Sequence, residues 1–238
     1  MGDVSLFCDY HSRFPSHGYR WLNAKIRLDL GLVMSDQYAH RCCRFAGIKS
    51  ESRHHACKKP GGAQEGLPQR PAMASADVGG PLQRAISGMV ALWAEGKYWE
   101  LTLYMDLWNN EIVGYGPSSR KGDRSTYFEG LQRALPQYHV THSMPRAGTP
   151  TDNGAMESIN GWSKVELFVD FDIAHCGDVP TFVERYIRFF NEERPSSALG
   201  YMTPKAYREA AAKGETVPKK PSKVIREKAK DDRRGEKQ

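Results

Sequence analysis

GKYWELTLYMDLWNNEIVGY, residues 96–115, alternates along most of its length. Trp99, Leu101, Leu103 and Met105 interleave with Glu100, Thr102 and Tyr104, the period of two expected of a half-buried strand. Asn109-Asn110 supplies a turn, and Glu111 to Tyr115 returns as a second strand, so the stretch reads as a hairpin. Asp106 shares a face with Tyr104, opposite Leu103 and Met105, which suits a structural role at the hairpin's end.

Downstream of the hairpin the period becomes helical. Residues 124–135 form an amphipathic pattern ended by Pro136, and Tyr138 to Ser143 is a short strand candidate. Thr151-Asp152-Asn153 caps a helix expected to run to about Phe168. A further helix spans Asp178 to Glu193 and stops before Pro195. Thr203-Pro204 opens a last one through Ala212, with Thr as cap and Pro in the first position. Strands followed by helices place this part of the chain in the α/β class.

Upstream, Tyr19, Leu22, Ile26 and Leu30 recur at helical spacing and Gly31 marks a stop. Ser35-Asp36 then caps a second helix to about Phe45, closed by Gly47. Two short helices joined by a tight link, with Arg41 and Arg44 on the second, read as a helix-turn-helix. Four regions follow: a helix-turn-helix-like part over 1–57, a Gly/Pro/Ala/Gln-rich linker over 58–80, a core over 81–212 and a basic disordered tail over 213–238.

The net charge of +6 is unevenly spread. Residues 1–60 carry ten Lys/Arg against five Asp/Glu, residues 213–238 the same, and the middle fourteen against eighteen. Basic ends around a mildly acidic middle suit a protein that grips a polyanion. No apolar run approaches the length of a membrane span, and no secretory pattern is visible, so the cytoplasm is the expected compartment. Five cysteines without Cys-x-x-Cys spacing argue against both a disulfide framework and a zinc site.

Residues 148–168 carry the chemistry. Asn153, Glu157, Asn160 and Lys164 share one face of the expected helix, while Met156, Ile159 and Leu167 line another. A carboxylate among amides, backed by a lysine, can place oxygen on a divalent metal while the lysine meets phosphate. The same spacing also describes an ordinary solvated face.

SMPRAGTPTDNGAMESINGWSKVELF (143–168) resembles the last catalytic motif of insertion-sequence transposases of the insertion-sequence-three type. In chain order, residues 17–50 are similar to the family's helix-turn-helix region, 96–115 to its central hairpin and 186–210 to its C-terminal signature. The resemblance implies a ribonuclease-H-like, retroviral-integrase-type mixed sheet with helices. It also implies Mg²⁺-dependent phosphoryl transfer on double-stranded DNA by two aspartates and a glutamate.

Glu157 stands at the glutamate position and is the expected metal ligand and catalytic residue. Asn153, Asn160 and Lys164 are expected on the DNA-facing side of its helix, and Arg41 and Arg44 on the DNA-binding helix. Where the first aspartate belongs the chain reads Ser87-Gly88-Met89-Val90, and the His-Ser-Asp-Gln-Gly motif of the second is missing. The helix over 124–135 runs almost directly into HVTHSMPRAG, as though a strand and a helix had been removed, so the core is expected to be incomplete. Asp106, and Asp123 with thirty-three residues between it and Glu157, are the substitutes to consider. Asp123 reads by its surroundings as a helix cap.

Four functions stay open. The chain is an impaired transposase that keeps DNA binding, an active recombinase with nonstandard ligands, a DNA-binding regulator or dominant-negative partner of an intact transposase, or a non-DNA interaction module. Expected partners are DNA, a second copy of the chain and an intact transposase, in a bacterial nucleoid.

Overall fold

The computed structural model describes residues 2–51, 78–83, 85–134 and 154–218. Three helices come first: α1 (Gly2–Arg13), α2 (Tyr19–Leu30) and α3 (Asp36–Phe45). They pack around Phe7, Leu22, Ile26 and Ala39, all with no exposed surface. Burying a Phe, Leu or Ile this completely stabilises by about 1.5–3 kcal/mol each. The ends of α2 and α3 follow the local chemistry of the sequence. Gly31 takes the left-handed conformation at φ 69° and closes α2 with its N–H on the Arg27 carbonyl. The Ser35 hydroxyl accepts from Tyr38 N–H at 3.2 Å and opens α3. Helix α1 carries no strong sequence period, and the sequence pattern predicts no element there.

Among the described residues the sheet has three antiparallel strands in the order β1-β2-β3: β1 (Ala85–Ala94), β2 (Lys97–Asp106) and β3 (Ile112–Ser118). The expected hairpin is the β2–β3 pair. Its turn is held by Asp106, which is 1% exposed and accepts from Leu82 N–H and Trp108 N–H, both at 2.8 Å. Every pairing among the described residues is antiparallel. Consecutive strands joined by short turns can pair only that way. The strand candidate at Tyr138–Ser143 and the cap at Thr151–Asn153 lie outside the described residues.

The register gives the sheet two distinct faces. Gly88, Val90 and Leu92 pair with Leu103, Leu101 and Trp99 on one face, and Ser87, Met89, Ala91 and Trp93 lie on the other. Helix α4 (Arg124–Ala134) packs on the second face, over β3 and β2. It sits close because two glycines leave room. A Cβ on Gly116 would lie 2.5 Å from the Thr126 carbonyl oxygen, and one on Gly130 would lie 2.8 Å from the Tyr104 ring. The Tyr104 hydroxyl donates to the Tyr127 carbonyl at 2.6 Å. Asp123 caps α4, accepting from Ser125 N–H at 3.0 Å, as its sequence context suggested.

Helices α5 (Gly154–Val169) and α6 (Val179–Glu192) cover the first face. Helix α5 contacts β1, yet Met89, Ala91 and Trp93 remain exposed while Val90, Leu92 and Ala94 are buried, which places α5 on the Gly88 side. Asn191 of α6 binds the edge of β3 as a strand would: its amide accepts from Ile112 N–H and donates to Ile112 C=O, both at 2.9 Å. Helix α7 (Pro204–Ala212), capped by Thr203, is tied to the hairpin turn by Arg208 on Glu111 at 2.8 Å. Of the regions expected to be unstructured, Val78 packs in the core and Pro218 accepts from the Tyr207 hydroxyl at 2.9 Å. Residues 58–77 of the linker and 219–238 of the tail lie outside the described residues.

Candidate active site and nucleic-acid interface

Helix α5 carries Glu157, and Asn160 three residues later anchors that helix to the sheet. The Asn160 amide donates to the Met89 carbonyl at 3.4 Å, one residue beyond Gly88 on β1. The helix with the expected metal ligand therefore crosses β1 beside the position that the resemblance assigns to the first aspartate. Gly88 faces α5 but brings no side chain. Lys164 is exposed on the same helix. Asn153, and the side chain of Glu157, lie outside the described residues.

Neither substitute carboxylate joins that face. Asp106 shares the opposite face with Tyr104, and both of its oxygens accept backbone N–H groups. Asp123 is at the start of α4, with Oδ1 on Ser125 and Oδ2 accepting from the Ser118 hydroxyl at 2.9 Å. Those hydrogen bonds, from Ser125 first and then Ser118, hold its carboxyl below the usual range. An open cleft of about 250 Å³ lies between α4 and β1, lined by Ser87, Met89, Glu100, Thr102, Asp123 and Arg124. Its Glu100 is likewise engaged, by Tyr98 and by Gly122 N–H. Among the described residues no three His, Cys, Asp or Glu side chains converge as a metal site. The described donors do not fit a two-metal centre, which needs several oxygen ligands around hard cations.

Arg41 and Arg44 point outward from α3 and are exposed, with Arg41 over the Tyr38 ring at 5.8 Å. Tyr38 itself donates to Asp3 at 2.7 Å, and that bond, with the Asp3 charge, pushes its hydroxyl up to about 12. Gln37, His40 and Phe45 complete an uncovered polar and aromatic surface on α3.

A buried polar cluster on α5 and α6 escaped the sequence reading. Glu166, wholly buried, accepts from the Tyr186 hydroxyl at 2.9 Å and from Arg194 Nε at 2.7 Å. Burial opposes the Arg194 charge, and the Glu166 carboxylate outweighs it, so the guanidinium is held above its ordinary value. Burial, and then the Glu166 charge, push the Tyr186 hydroxyl well up. One signal was available: Glu166 follows Ile159 by seven residues and so falls on the apolar stripe of α5. A charge there requires a partner.

Comparison with known proteins gives a consistent direction. Residues 138–204 match the family described as the integrase core domain. The chain is 23% identical over 155 residues to InsK of insertion sequence IS150 from Escherichia coli K12, named as a transposase. It is 26% identical over 137 residues to the protein named as a transposase of IS1353 from Shigella flexneri. A 31.7 kDa protein of insertion element IS407 from Burkholderia multivorans is 31% identical over 98 residues. These alignments cover 54%, 55% and 40% of this chain, and 55%, 27% and 34% of those proteins. The chain thus spans about half the length of the first relative and less of the others. No helix among the described residues is long and apolar enough to cross a membrane. By these matches the chain is similar to insertion-sequence transposases, and the match to the integrase core domain family falls in residues 138–204.

Proposed function

We propose that this chain is a transposase of the insertion-sequence-three type that binds double-stranded DNA and has lost most or all strand-transfer activity through an internal deletion. The observation that carries the reading is Gly88, which occupies the β1 position beside α5 where a first carboxylate would be needed. Glu157 alone is a poor magnesium site, since the ion requires charge compensation and a near-octahedral oxygen shell. Asp106 and Asp123 are spent on backbone and hydroxyl donors. DNA contact is assigned to the exposed face of α3 through Arg41 and Arg44, aided by the basic ends of the chain, with Asn153, Asn160 and Lys164 on the substrate side of α5. The expected setting is the bacterial nucleoid, with a second copy or an intact transposase as protein partner.

Strand transfer on a labelled duplex bearing the element's ends, in Mg²⁺ and then Mn²⁺, tests the loss of catalysis. Turnover that Glu157→Gln abolishes would overturn it. Binding is tested by titrating salt: each phosphate contact contributes roughly −0.9 to the slope of log K against log salt. Arg41→Ala and Arg44→Ala should each flatten that slope. The uncovered α3 face equally favours a regulator that competes for the same ends. Inhibition of an intact transposase in trans, without turnover by this chain, distinguishes that role.

A further inference from the structure

The N-terminal helices bear on the core through a charge-matched and largely buried contact that no catalytic or DNA-binding role accounts for. Asp170, just past the end of α5, accepts from Ser16 N–H at 2.8 Å through Oδ1 and from the Ser16 hydroxyl at 2.6 Å through Oδ2. His17 is 3% exposed and stacks on Trp21 with ring centroids 3.6 Å apart. Its Nε2 lies 3.4 Å from Glu166 Oε1 and 3.3 Å from Asp170 Oδ2, within ion-pair range of both for a protonated ring, though angled to hydrogen-bond neither. Lys25 of α2 is 2% exposed, donates to Asp29 at 2.8 Å and faces Glu193 at the end of α6 at 3.8 Å. Beneath it Phe14 stacks on Phe189 of α6 at 5.6 Å.

Across the contact, the donors lie on the N-terminal side and the acceptors on the core side, with Lys25 shared between Asp29 of its own helix and Glu193. Ser16 and His17 lie in the link between α1 and α2 and Lys25 lies on α2, while Glu166 lies on α5 and Asp170 and Glu193 directly follow α5 and α6. Such a contact resists partial opening, because a buried charge that loses its partner is costly and few intermediate arrangements satisfy both sides. The outer face of α3 stays exposed while these contacts are made. Docking and DNA contact therefore do not compete for the same surface.

We infer that Ser16, His17 and Asp170 are positioning residues, which lock the N-terminal helices onto α5 and α6 so that DNA held by α3 is presented at a fixed place relative to the helix carrying Glu157. The inference rests on the reading of α3 as the DNA-contacting helix. Docking itself does not depend on that reading.

The test uses the full chain with Ser16→Asp, which sets a carboxylate against Asp170. The swap Ser16→Asp/Asp170→Ser removes the repulsion and restores an acid–hydroxyl pair. Hydrogen exchange and small-angle scattering report docking. Ser16→Asp should deprotect residues 14–30 and 163–171 and enlarge the radius of gyration, with β1–β3 and α4 still protected, and the swap should reverse both changes. Binding of a fluorescein-labelled duplex should weaken by roughly tenfold in Ser16→Asp, through lost preorganisation, and recover in the swap. Unchanged exchange and dimensions in Ser16→Asp would overturn the lock. An opened structure with unaltered duplex affinity would overturn its role in presenting DNA. Arg41→Glu/Arg44→Glu separates the two claims: unaltered duplex affinity there overturns α3 as the DNA helix and leaves the docking result standing.

Discussion

Arg194 grips Glu166 with two nitrogens of its guanidinium, Nε and one Nη, each 2.7 Å from the same carboxylate oxygen. The carboxylate has no exposed surface, and the other oxygen is taken by Tyr186 at 2.9 Å. Removing the cation alone leaves a buried anion short of its strongest partner. Arg194→Met should therefore destabilise by about 3–5 kcal/mol. Replacing both members, Arg194→Met/Glu166→Leu, should recover most of that loss. Urea unfolding followed by tryptophan fluorescence measures both, and an additive double variant would contradict the pairing.

Helix α4 depends on two missing side chains. Gly116→Ala would drive a Cβ to 2.5 Å from the Thr126 carbonyl oxygen, a backbone atom that cannot swing away. Either α4 lifts from β3 or the strand bends, and overpacking of this kind costs about 1–3 kcal/mol. Gly122, by contrast, has open space around it, and its φ of 70° is the only obstacle to a side chain. Amide exchange of α4 should accelerate in Gly116→Ala while α5 and α6 keep their protection.

Thiol reactivity should divide by burial. Burial, then the neighbouring Cys42 and Cys8, push the Cys43 thiol up to about 11, whereas Cys8 is exposed. At pH 8 iodoacetamide should modify Cys8 well before Cys43, a difference that site-resolved mass spectrometry reads and that urea erases. The sign for stability follows. The folded state favours the neutral thiol, so its contribution is whole below the ordinary thiol value of 9.0 and declines as pH rises towards about 11.

Asp123 titrates in the opposite sense. Its folded carboxyl is depressed by hydrogen bonds from Ser125 and Ser118, so its stabilisation of α4 is present above the ordinary carboxylate value and disappears as pH falls through the lowered one. Asp123→Ala should loosen the start of α4 at neutral pH and have progressively less effect in acid. Helix-terminal amide exchange as a function of pH tests this, and an effect that did not shrink in acid would exclude the charged cap.

Much of the architecture was legible because it is local. The period-two run over 99–105 and the Asn109-Asn110 turn define β2 and β3, and Ser35, Asp178 and Thr203 cap helices at the positions their hydroxyl or carboxylate chemistry requires. Helix α1 was missed because its two buried side chains, Phe7 and Tyr10, are too few to make a clear stripe. At Gly88 it is the resemblance, not a local pattern, that leads to the expectation of a carboxylate, and a glycine supplies no ligand wherever it lies.

What lies far apart in the chain was not legible. Asp106, placed by its alternation at the hairpin's end, closes the turn by accepting from Leu82 and Trp108, and its partner Leu82, 24 positions away, is not written in the local pattern. Ser16 meets Asp170 across 154 positions, and no local pattern encodes that contact. Side-chain chemistry and spacing determined the elements and their caps. Only the tertiary packing decided which face each acid occupies and that the N-terminal helices dock on α5 and α6, because burial and charge pairing are properties of neighbours in space.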